Sequence, residues 1–166
     1  MVLLFLETKT MSFKEQLSRE QIRTLPLRDA IALDEHTVAR AAIALMRTHS
    51  LGCAVIVDPG CRPQGIFNEQ SIIRMLMAGV SLDTTAISAF ADPDVGIVRA
   101  DDPILFAWQA VVDQGHRFLC VTDDEGYLIG LTGQRGLAEY VCDCYAKQIA
   151  VQRLGSAPWM LQREGA

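Results

Sequence analysis

The fold is decided by the stretch that runs from Cys53-Ala-Val-Ile-Val57 through Asp58-Pro59-Gly60 to Gly65-Ile66-Phe67. Its first segment is a continuous apolar run, which is typical of a strand buried on both faces. Aspartate, proline and glycine in succession favour a turn, because proline presets one backbone angle and glycine accepts conformations that other residues avoid. The stretch therefore predicts a buried strand, a turn and a second strand.

Helices are predicted on both sides of these strands. Ahead of them, the short apolar segment Ala30-Ile-Ala-Leu33 is followed by the acidic pair Asp34-Glu35, which is typical of a helix start. The next apolar residues recur with the spacing of one helix face: Val38, Ala41, Ala42, Leu45 and Met46. Behind the strands a closing helix that ends near Gly79 carries a second apolar face: Ile72, Ile73, Leu76 and Met77.

The same order of segments occurs a second time. It consists of Gly96-Ile97-Val98, a helix start at Asp101-Asp102-Pro103, the apolar face Ile104, Ala107, Trp108, Val111 and Val112, the buried strand Phe118-Leu-Cys-Val121, the turn Asp123-Asp-Glu-Gly126, a strand from Tyr127 to Leu131, and a closing helix from Leu137 to Val141. Asp58 and Gly65 correspond to Asp123 and Gly130 with the same separation. Each unit is too small to be comfortably stable alone, so we expect the two to pack together through apolar faces.

Further helices are predicted outside the two units. Ser12 and Glu15 form a capping box that opens a helix with Phe13, Leu17 and Ile22 on one face, ended by Pro26. Residues 1–10 are expected to be a leader. The chain is therefore divided into a leader and helix (1–23), a first repeat (24–82), a second repeat (83–145), and a C-terminal helix extension and tail (146–166) in which Ala157-Pro-Trp159-Met-Leu161 is a candidate docking segment.

Length and composition bound the class of protein. The 166 residues are 50% hydrophobic and 21% charged, which is enough for one sizeable core or two small ones and excludes disordered and fibrous classes. Acidic residues outnumber basic ones by 20 to 15, and the basic ones are scattered, so no nucleic-acid partner is expected. The apolar run Met1-Val-Leu-Leu-Phe-Leu6 is too short to span a bilayer. We expect a cytoplasmic protein with no membrane partner.

The sequence carries no recognisable catalytic or metal-binding motif. Its 5 cysteines are an odd number, which favours a reducing compartment over a disulfide framework. Cys142 and Cys144 lie two residues apart, so on a helix they point to different faces and cannot chelate a metal together. The histidines His36, His49 and His116 are far apart in the sequence. We therefore expect neither an enzyme nor a metalloprotein.

The two units together resemble a tandem pair of CBS (cystathionine-β-synthase-type) domains over roughly residues 24–145. The segments that carry the resemblance are Val38 to Met46, Ala54-Val-Ile-Val-Asp58 and Gly65-Ile-Phe67, repeated as Ile104 to Val112, Leu119-Cys-Val-Thr-Asp123 and Gly130-Leu-Thr132. The resemblance implies an α/β (α+β) fold of two βαββα repeats related by a pseudo-twofold axis, with extra N- and C-terminal helices. It also implies a stand-alone regulatory module of the Bateman type, without catalytic activity, that forms a homodimer and modulates an unknown partner protein.

The resemblance further implies an adenosine-containing ligand, such as AMP, ADP, ATP or S-adenosylmethionine, in a cleft between the repeats, with no cofactor required. In the family pattern, a hydroxyl residue at the start of the closing helix meets phosphate, and an Asp three residues later holds the ribose hydroxyls. Here the first repeat has Asn68 and Ser71 at these positions. Asn68 can cap the helix and donate to a phosphate, whereas Ser71 offers one short hydroxyl in place of a carboxylate. Helix capping alone also explains Asn68.

The second repeat departs further from the pattern. Glycines, Gly133 and Gly136, stand at both positions, and Thr132 lies one residue too early. Gly133 lets backbone amides approach a phosphate, and Arg135 could pair with it, so an anion site is predicted without ribose recognition by a carboxylate. A tight turn and a solvated arginine are the alternative interpretations of these residues.

Other candidate residues follow from the same resemblance. Ala54 and the pair His116-Arg117 are placed at the cleft, although a surface turn explains the pair equally well. Trp108 has the spacing of a core residue and is expected to pack rather than to stack on a base. Because both ribose-position carboxylates are absent, a ligand-free module for dimerisation or protein interaction is the alternative function.

Overall fold

The computed structural model describes residues 11–155 and, for side chains, residues 11–146. The predicted leader 1–10 and the docking segment Ala157–Leu161 lie outside the described residues. The helices and strands are α1 Phe13–Arg19, β1 Ala32–Leu33, α2 Ala39–Thr48, β2 Cys53–Val57, β3 Pro63–Asn68, α3 Glu69–Met77, β4 Ile97–Arg99, α4 Ile104–Val112, β5 Phe118–Thr122, β6 Leu128–Gly133 and α5 Gln134–Gly155. Short 3₁₀ turns span Ile22–Thr24 and Ile87–Ala89.

Each repeat contains a three-stranded sheet of the same design. The strand order is β1-β2-β3 in one sheet and β4-β5-β6 in the other, with the first pair parallel and the second antiparallel. Every element of the second repeat begins 65 residues after its counterpart, as Phe118 follows Cys53 at the start of the central strands. The predicted fold, two βαββα repeats in a pseudo-twofold arrangement, is confirmed.

A leading segment, residues 21–28, connects α1 to the first repeat but pairs with the second. The amide of Ile22 donates to the carbonyl of Asp102 at 2.9 Å. Arg28 and Leu131 exchange two backbone hydrogen bonds of 2.9 and 2.8 Å. The side chains of Ile22 and Leu25 are buried in the core of the second repeat. The leading segment is therefore part of the second repeat's structure, although its residues 24–28 fall within the bounds predicted for the first repeat.

The second repeat has its own leading segment, residues 86–92, which pairs with the first repeat in the same way. Asp92 and Ile66 form two backbone hydrogen bonds of 2.8 and 2.9 Å, which match those between Arg28 and Leu131. Ile87 is fully buried in the core of the first repeat. Because each repeat needs the segment that leads into the other, the two repeats form one structural unit.

Three apolar clusters hold this unit together. One lies in each repeat, and a third joins the two sheets through residues of β2, β3, β5 and β6: Cys53, Val55, Ile66, Cys120 and Leu131. Trp108 packs at the edge of the second repeat's core, where its ring meets that of Phe13 edge-on with centroids 5.7 Å apart. Trp108 is therefore a packing residue, as predicted.

Helix boundaries differ from the prediction in two places. α1 opens with the predicted capping box, in which Ser12 and Glu15 exchange hydrogen bonds, but it ends at Arg19. Ile22 instead begins the 3₁₀ turn of the leading segment, where its amide bonds to the second repeat. α2 begins at Ala39, not at Asp34, since the Asp34 side chain accepts from the amide of His36 and forms a turn instead. Along residues 11–155, no helix has the length and apolar character needed to cross a membrane.

Candidate functional site

Two clefts occupy equivalent places in the molecule, and each has a volume of about 220 Å³. One lies at the junction of β6 and α5 and is called the arginine cleft, after Arg28, Arg117 and Arg135 in its lining. The other lies at the junction of β3 and α3 and is called the acidic cleft, after Glu69, Asp92 and Asp94 in its lining. Residues of both repeats line each cleft, so both are sites between the repeats.

The β6–α5 junction leaves one buried hydroxyl without a hydrogen-bond partner in the lining of the arginine cleft. Thr132 is only 7% exposed, and its Oγ1 is a buried side-chain oxygen without a hydrogen-bond partner. The next residue is Gly133, which has no side chain to accept from the first amides of α5. An unsatisfied buried hydroxyl costs about 1–3 kcal/mol. A ligand with a hydrogen-bonding group placed beside Thr132 would recover that free energy.

Glycines shape this junction because side chains would not fit. Gly133 has a φ of +148°, and a Cβ there would lie 2.4 Å from the carbonyl oxygen of Arg117. A Cβ on Gly136 would lie 2.4 Å from Thr132 Oγ1. The ribose carboxylate of the family pattern would stand at Gly136, so the hydroxyl of Thr132 occupies the space that such a side chain needs. Thr132 and Gly136 are thus a matched pair.

Three guanidinium groups line the arginine cleft, and each pairs with a carboxylate. Arg117 bonds to Glu69 at 3.0 Å. Arg28 and Arg135 both bond to Oε1 of Glu139, at 3.1 and 3.0 Å. Arg135 remains 74% exposed at its side chain, which leaves it able to reach a ligand. The cleft lining therefore carries three positive charges against the single carboxylate of Glu69.

The acidic cleft has the opposite balance. Its lining contains three carboxylates and the guanidinium of Arg117, together with the half-buried His116. Glu69, Arg117 and Phe118 line both clefts, so the Glu69–Arg117 ion pair forms part of the wall between them. A phosphate would be repelled by the carboxylates of the acidic cleft and attracted by the arginine cleft.

At the β3–α3 junction the side chains satisfy one another. Asn68 Oδ1 accepts from the amide of Ser71 at 3.1 Å, and Ser71 Oγ accepts from the amide of Asn68 at 3.3 Å. Ser71 is fully buried and also accepts from Arg74 at 3.3 Å. The capping interpretation of Asn68 is the one realised in the structure, and the hydroxyl of Ser71 is used inside the protein.

The structure distributes the sequence-predicted residues unevenly. Thr132, Gly133, Arg135 and Arg117 meet in the arginine cleft, while the acidic cleft contains Asn68, His116 and, again, Arg117. Ser71 and Ala54 line neither cleft. Ala54 is fully buried in the first repeat's core because its strand is covered on both faces, and its neighbour Cys53 lines the arginine cleft instead.

Arg28 is the charged residue that the sequence interpretation missed. It lies in the leading segment, outside every motif, and reaches the cleft only because that segment crosses to the second repeat. A basic residue shortly after Pro26 gives no local signal of this placement. The alignment of the two repeats, in which Arg28 falls close to the position of Asp92, is the pattern from which it could have been inferred.

Cys53 is the buried thiol in the lining of the arginine cleft. Burial raises the pKa of the Cys53 thiol to about 12, an effect that the nearby Arg117 opposes and Glu69 increases. The thiol is therefore protonated at neutral pH and serves as an apolar surface. Among the residues with described side chains, no three histidine, cysteine or acidic residues lie close enough to hold a metal ion.

The model of the CBS domain matches the chain twice, over residues 22–78 and 87–143. The chain belongs to the CBS domain family. The two matched stretches cover more than half of the sequence and correspond to the two sheets with their helices. The CBS match of the first stretch begins inside the leading segment.

Two curated relatives support this assignment at the level of sequence. An uncharacterized protein of Methanopyrus kandleri is 30% identical over 95 residues, which are 57% of this chain and 48% of that protein. An uncharacterized 17.7 kDa protein of Acidianus ambivalens is 29% identical over 112 residues, 68% of this chain and 66% of that protein. The chain thus spans about half and two thirds of these relatives.

Solved structures share the fold. A CBS domain protein from Pyrobaculum aerophilum complexed with AMP is 21% identical, with a TM-score of 0.65 over 82% of this chain and 100% of that one. The CBS domain pair of protein MJ0100, in complex with 5-methylthioadenosine and S-adenosyl-L-methionine, is 14% identical, with a TM-score of 0.66 over 75% of this chain and 97% of that one. At these identities the comparison establishes the fold.

Proposed function

We propose that this CBS pair is a regulatory module that binds an adenine nucleotide in the arginine cleft and passes the bound state to a partner protein. Two solved structures of the same fold contain adenosine compounds, AMP in one and 5-methylthioadenosine with S-adenosylmethionine in the other. Binding regulates a partner only if the ligand favours one arrangement of the module. The proposal includes no catalytic step and places the module in the cytoplasm.

The buried, unpartnered hydroxyl of Thr132 is the observation that carries this proposal. It lies in a cleft beside the N-terminus of the 22-residue helix α5, where the helix dipole and backbone amides favour an anion. Arg28, Arg117 and Arg135 add positive charge at the same place. A phosphate in this cleft would accept from the amides and the guanidinium groups, and the hydroxyl of Thr132 could donate to it as well.

Ribose recognition in this proposal differs from the family pattern. Gly136 offers no carboxylate, and its Cα lies against the hydroxyl of Thr132. The ligand is therefore held mainly through its phosphates, and a ligand without phosphate, such as S-adenosylmethionine, binds more weakly. The acidic cleft, which three carboxylates line, is proposed to stay free of nucleotide.

Calorimetric titration with AMP, ADP, ATP and S-adenosylmethionine tests the proposed function. We expect saturable binding of at least one nucleotide, and a melting temperature that rises with its concentration. Arg135→Ala should weaken this binding at least tenfold, since charge-assisted hydrogen bonds contribute about 1.5–3 kcal/mol. The matched control is Gln70→Ala, which changes the equivalent position of the acidic cleft and should leave affinity unchanged. Failure of all four ligands to bind would refute the proposal.

An exposed apolar face on α3 supports a second property, homodimer formation. Ile73, Leu76 and Met77 are 58%, 60% and 85% exposed, although they lie on a helix whose other face is in the core. Apolar side chains grouped on one exposed face are typical of an interface. We propose that this face joins two copies of the chain, and that the dimer is the form that contacts a regulated partner.

Sedimentation velocity at several concentrations tests the dimer. Leu76→Glu should shift the equilibrium to monomer, because a carboxylate would be buried in the interface without a partner. Ile129→Glu is the control, since Ile129 is a similarly exposed apolar residue on β6 and is not part of α3. A wild-type chain that remains monomeric at all concentrations would exclude the dimer and leave the nucleotide proposal intact.

A further inference from the structure

Glu139 holds two of the three guanidinium groups of the arginine cleft. It lies on α5 one turn after Arg135, and its Oε1 accepts from Arg135 Nε at 3.0 Å and from Arg28 at 3.1 Å. Both arginines line the cleft, whereas Glu139 stands behind them. A single carboxylate oxygen therefore engages one donor on each of two arginines that an anionic ligand would use.

This pairing joins two different parts of the fold. Arg28 belongs to the leading segment, which is fixed to β6 by its two backbone hydrogen bonds with Leu131. Arg135 and Glu139 belong to the first two turns of α5. Backbone hydrogen bonds already hold the leading segment in place, so the carboxylate is not needed for that purpose.

The pairs are exposed enough to be exchanged. The side chains of Arg28 and Glu139 are 39% and 38% exposed, and that of Arg135 is 74% exposed. Exposed ion pairs contribute only about 0.2–1 kcal/mol each. A phosphate carries more charge than a carboxylate and offers more acceptor oxygens, so it can replace Glu139 on both arginines.

We propose that Glu139 is an internal competitor for the ligand's phosphate, and that it determines how much negative charge a ligand needs in order to bind. This inference rests on the proposed nucleotide site. In the free protein Glu139 neutralises part of the positive charge of Arg28 and Arg135. Ligands with several phosphates overcome this competition, and neutral or cationic adenosine compounds do not.

Titration of ADP into wild type and Glu139→Gln tests the inference. Glutamine keeps the shape of the side chain but removes its charge, so ADP affinity should rise about fivefold, the combined effect of two exposed ion pairs. The increase should shrink at high salt, because the competition is electrostatic. Adenosine, which carries no phosphate, should show no such gain. Inorganic pyrophosphate should follow ADP.

Asp143→Asn is the matched control. Asp143 lies one turn beyond Glu139 on α5 and forms no ion pair among the described side chains. Asp143→Asn removes one negative charge from the same helix, as Glu139→Gln does. If only the overall charge of the protein mattered, ADP affinity would rise equally in the two variants. An equal rise would overturn the inference.

The possible outcomes separate this inference from the proposed function. If ADP binds the wild type and Arg135→Ala weakens it, but Glu139→Gln leaves affinity unchanged or lowers it, then Glu139 only positions the arginines and the inference fails alone. If neither the wild type nor Glu139→Gln binds any phosphate compound, the proposed function fails as well. Binding by Glu139→Gln with none by the wild type would support the competition.

Discussion

The β3–α3 and β6–α5 junctions occupy the same place in the two repeats and differ in what fills them. The first has Phe67 and Ser71 fully buried, with Asn68 capping the helix between them. The residues 65 positions later are Thr132, Gly136 and Gly133: a hydroxyl without a partner and two glycines.

Under the proposed function, this difference accounts for a ligand site at the β6–α5 junction and for none at the β3–α3 junction. At the β3–α3 junction, the phenyl ring of Phe67 packs in the core and the cap of Asn68 satisfies the helix amides. At the β6–α5 junction, the Thr132 hydroxyl has no hydrogen-bond partner and Gly133 offers no side chain to cap α5. Both repeats lack the ribose carboxylate of the family pattern, but its position is taken by the buried Ser71 in the first repeat and by Gly136 in the second.

The first test adds a side chain at the β6–α5 junction. Gly133→Ala should cost on the order of 3 kcal/mol of unfolding free energy, since its φ is +148° and the new Cβ would meet a backbone oxygen that cannot move. Urea denaturation of the ligand-free protein measures this loss of unfolding free energy. The control is Gly79→Ala, with φ +68° and open space around it, which should cost roughly 1 kcal/mol. Equal costs would contradict the close contact.

The second test concerns the matched pair of Thr132 and Gly136. Gly136→Ala should cost about 2 kcal/mol because its Cβ would press on the Thr132 hydroxyl. Adding Thr132→Ala removes that oxygen and should restore about 1 kcal/mol or more, which appears as a coupling energy in a double-mutant cycle. Purely additive unfolding free energies would show that the two residues do not constrain each other.

The third test removes the helix cap at the β3–α3 junction. Asn68→Ala removes the capping box of α3 and should lower the free energy of unfolding by about 1 kcal/mol. Asn68→Asp keeps an accepting oxygen and should retain most of the stability. If Asn68→Ala instead weakened nucleotide binding without loss of stability, Asn68 would be a ligand contact and the assignment of roles to the two junctions would be reversed.

The smallest expected effect on stability comes from two turn residues with positive φ in the first repeat. Ser50 and Cys61 adopt φ of +53° and +56°, where the second repeat has Gly115 and Gly126. Ser50→Gly should therefore stabilise the protein by about 0.5 kcal/mol, the relief of left-handed strain less the entropy cost of glycine. Gly115→Ser, the reciprocal change, should destabilise it. Thermal unfolding of both variants gives the signs, and a destabilising Ser50→Gly would contradict this explanation of the turns.

Local sequence patterns predicted most of the helices and strands, because these elements depend on interactions between residues that are close together in the sequence. The apolar run from Cys53 to Val57 and its repeat form the predicted buried strands, and Ser12 forms the predicted cap. The start of α2 was misplaced, since the acidic pair at Asp34 makes a turn as readily as a first helical turn.

The candidate site was only partly predictable, because it depends on contacts between distant segments. The resemblance to the CBS family pattern pointed to Thr132, Gly133 and Arg135, and all three line the arginine cleft. Arg28 reaches the cleft through the crossing of the leading segment, and Ala54 turns away into the core. The placement of Arg28 has no local signal, whereas the burial of Ala54 follows from the apolar run in which it stands.

The most direct test of the account is a crystal structure of the chain grown with ADP. We expect ligand density in the arginine cleft alone, with phosphate oxygens within hydrogen-bond distance of Arg135 and the ligand in contact with Thr132 Oγ1. Density in the acidic cleft, with the arginine cleft unoccupied, would contradict the account.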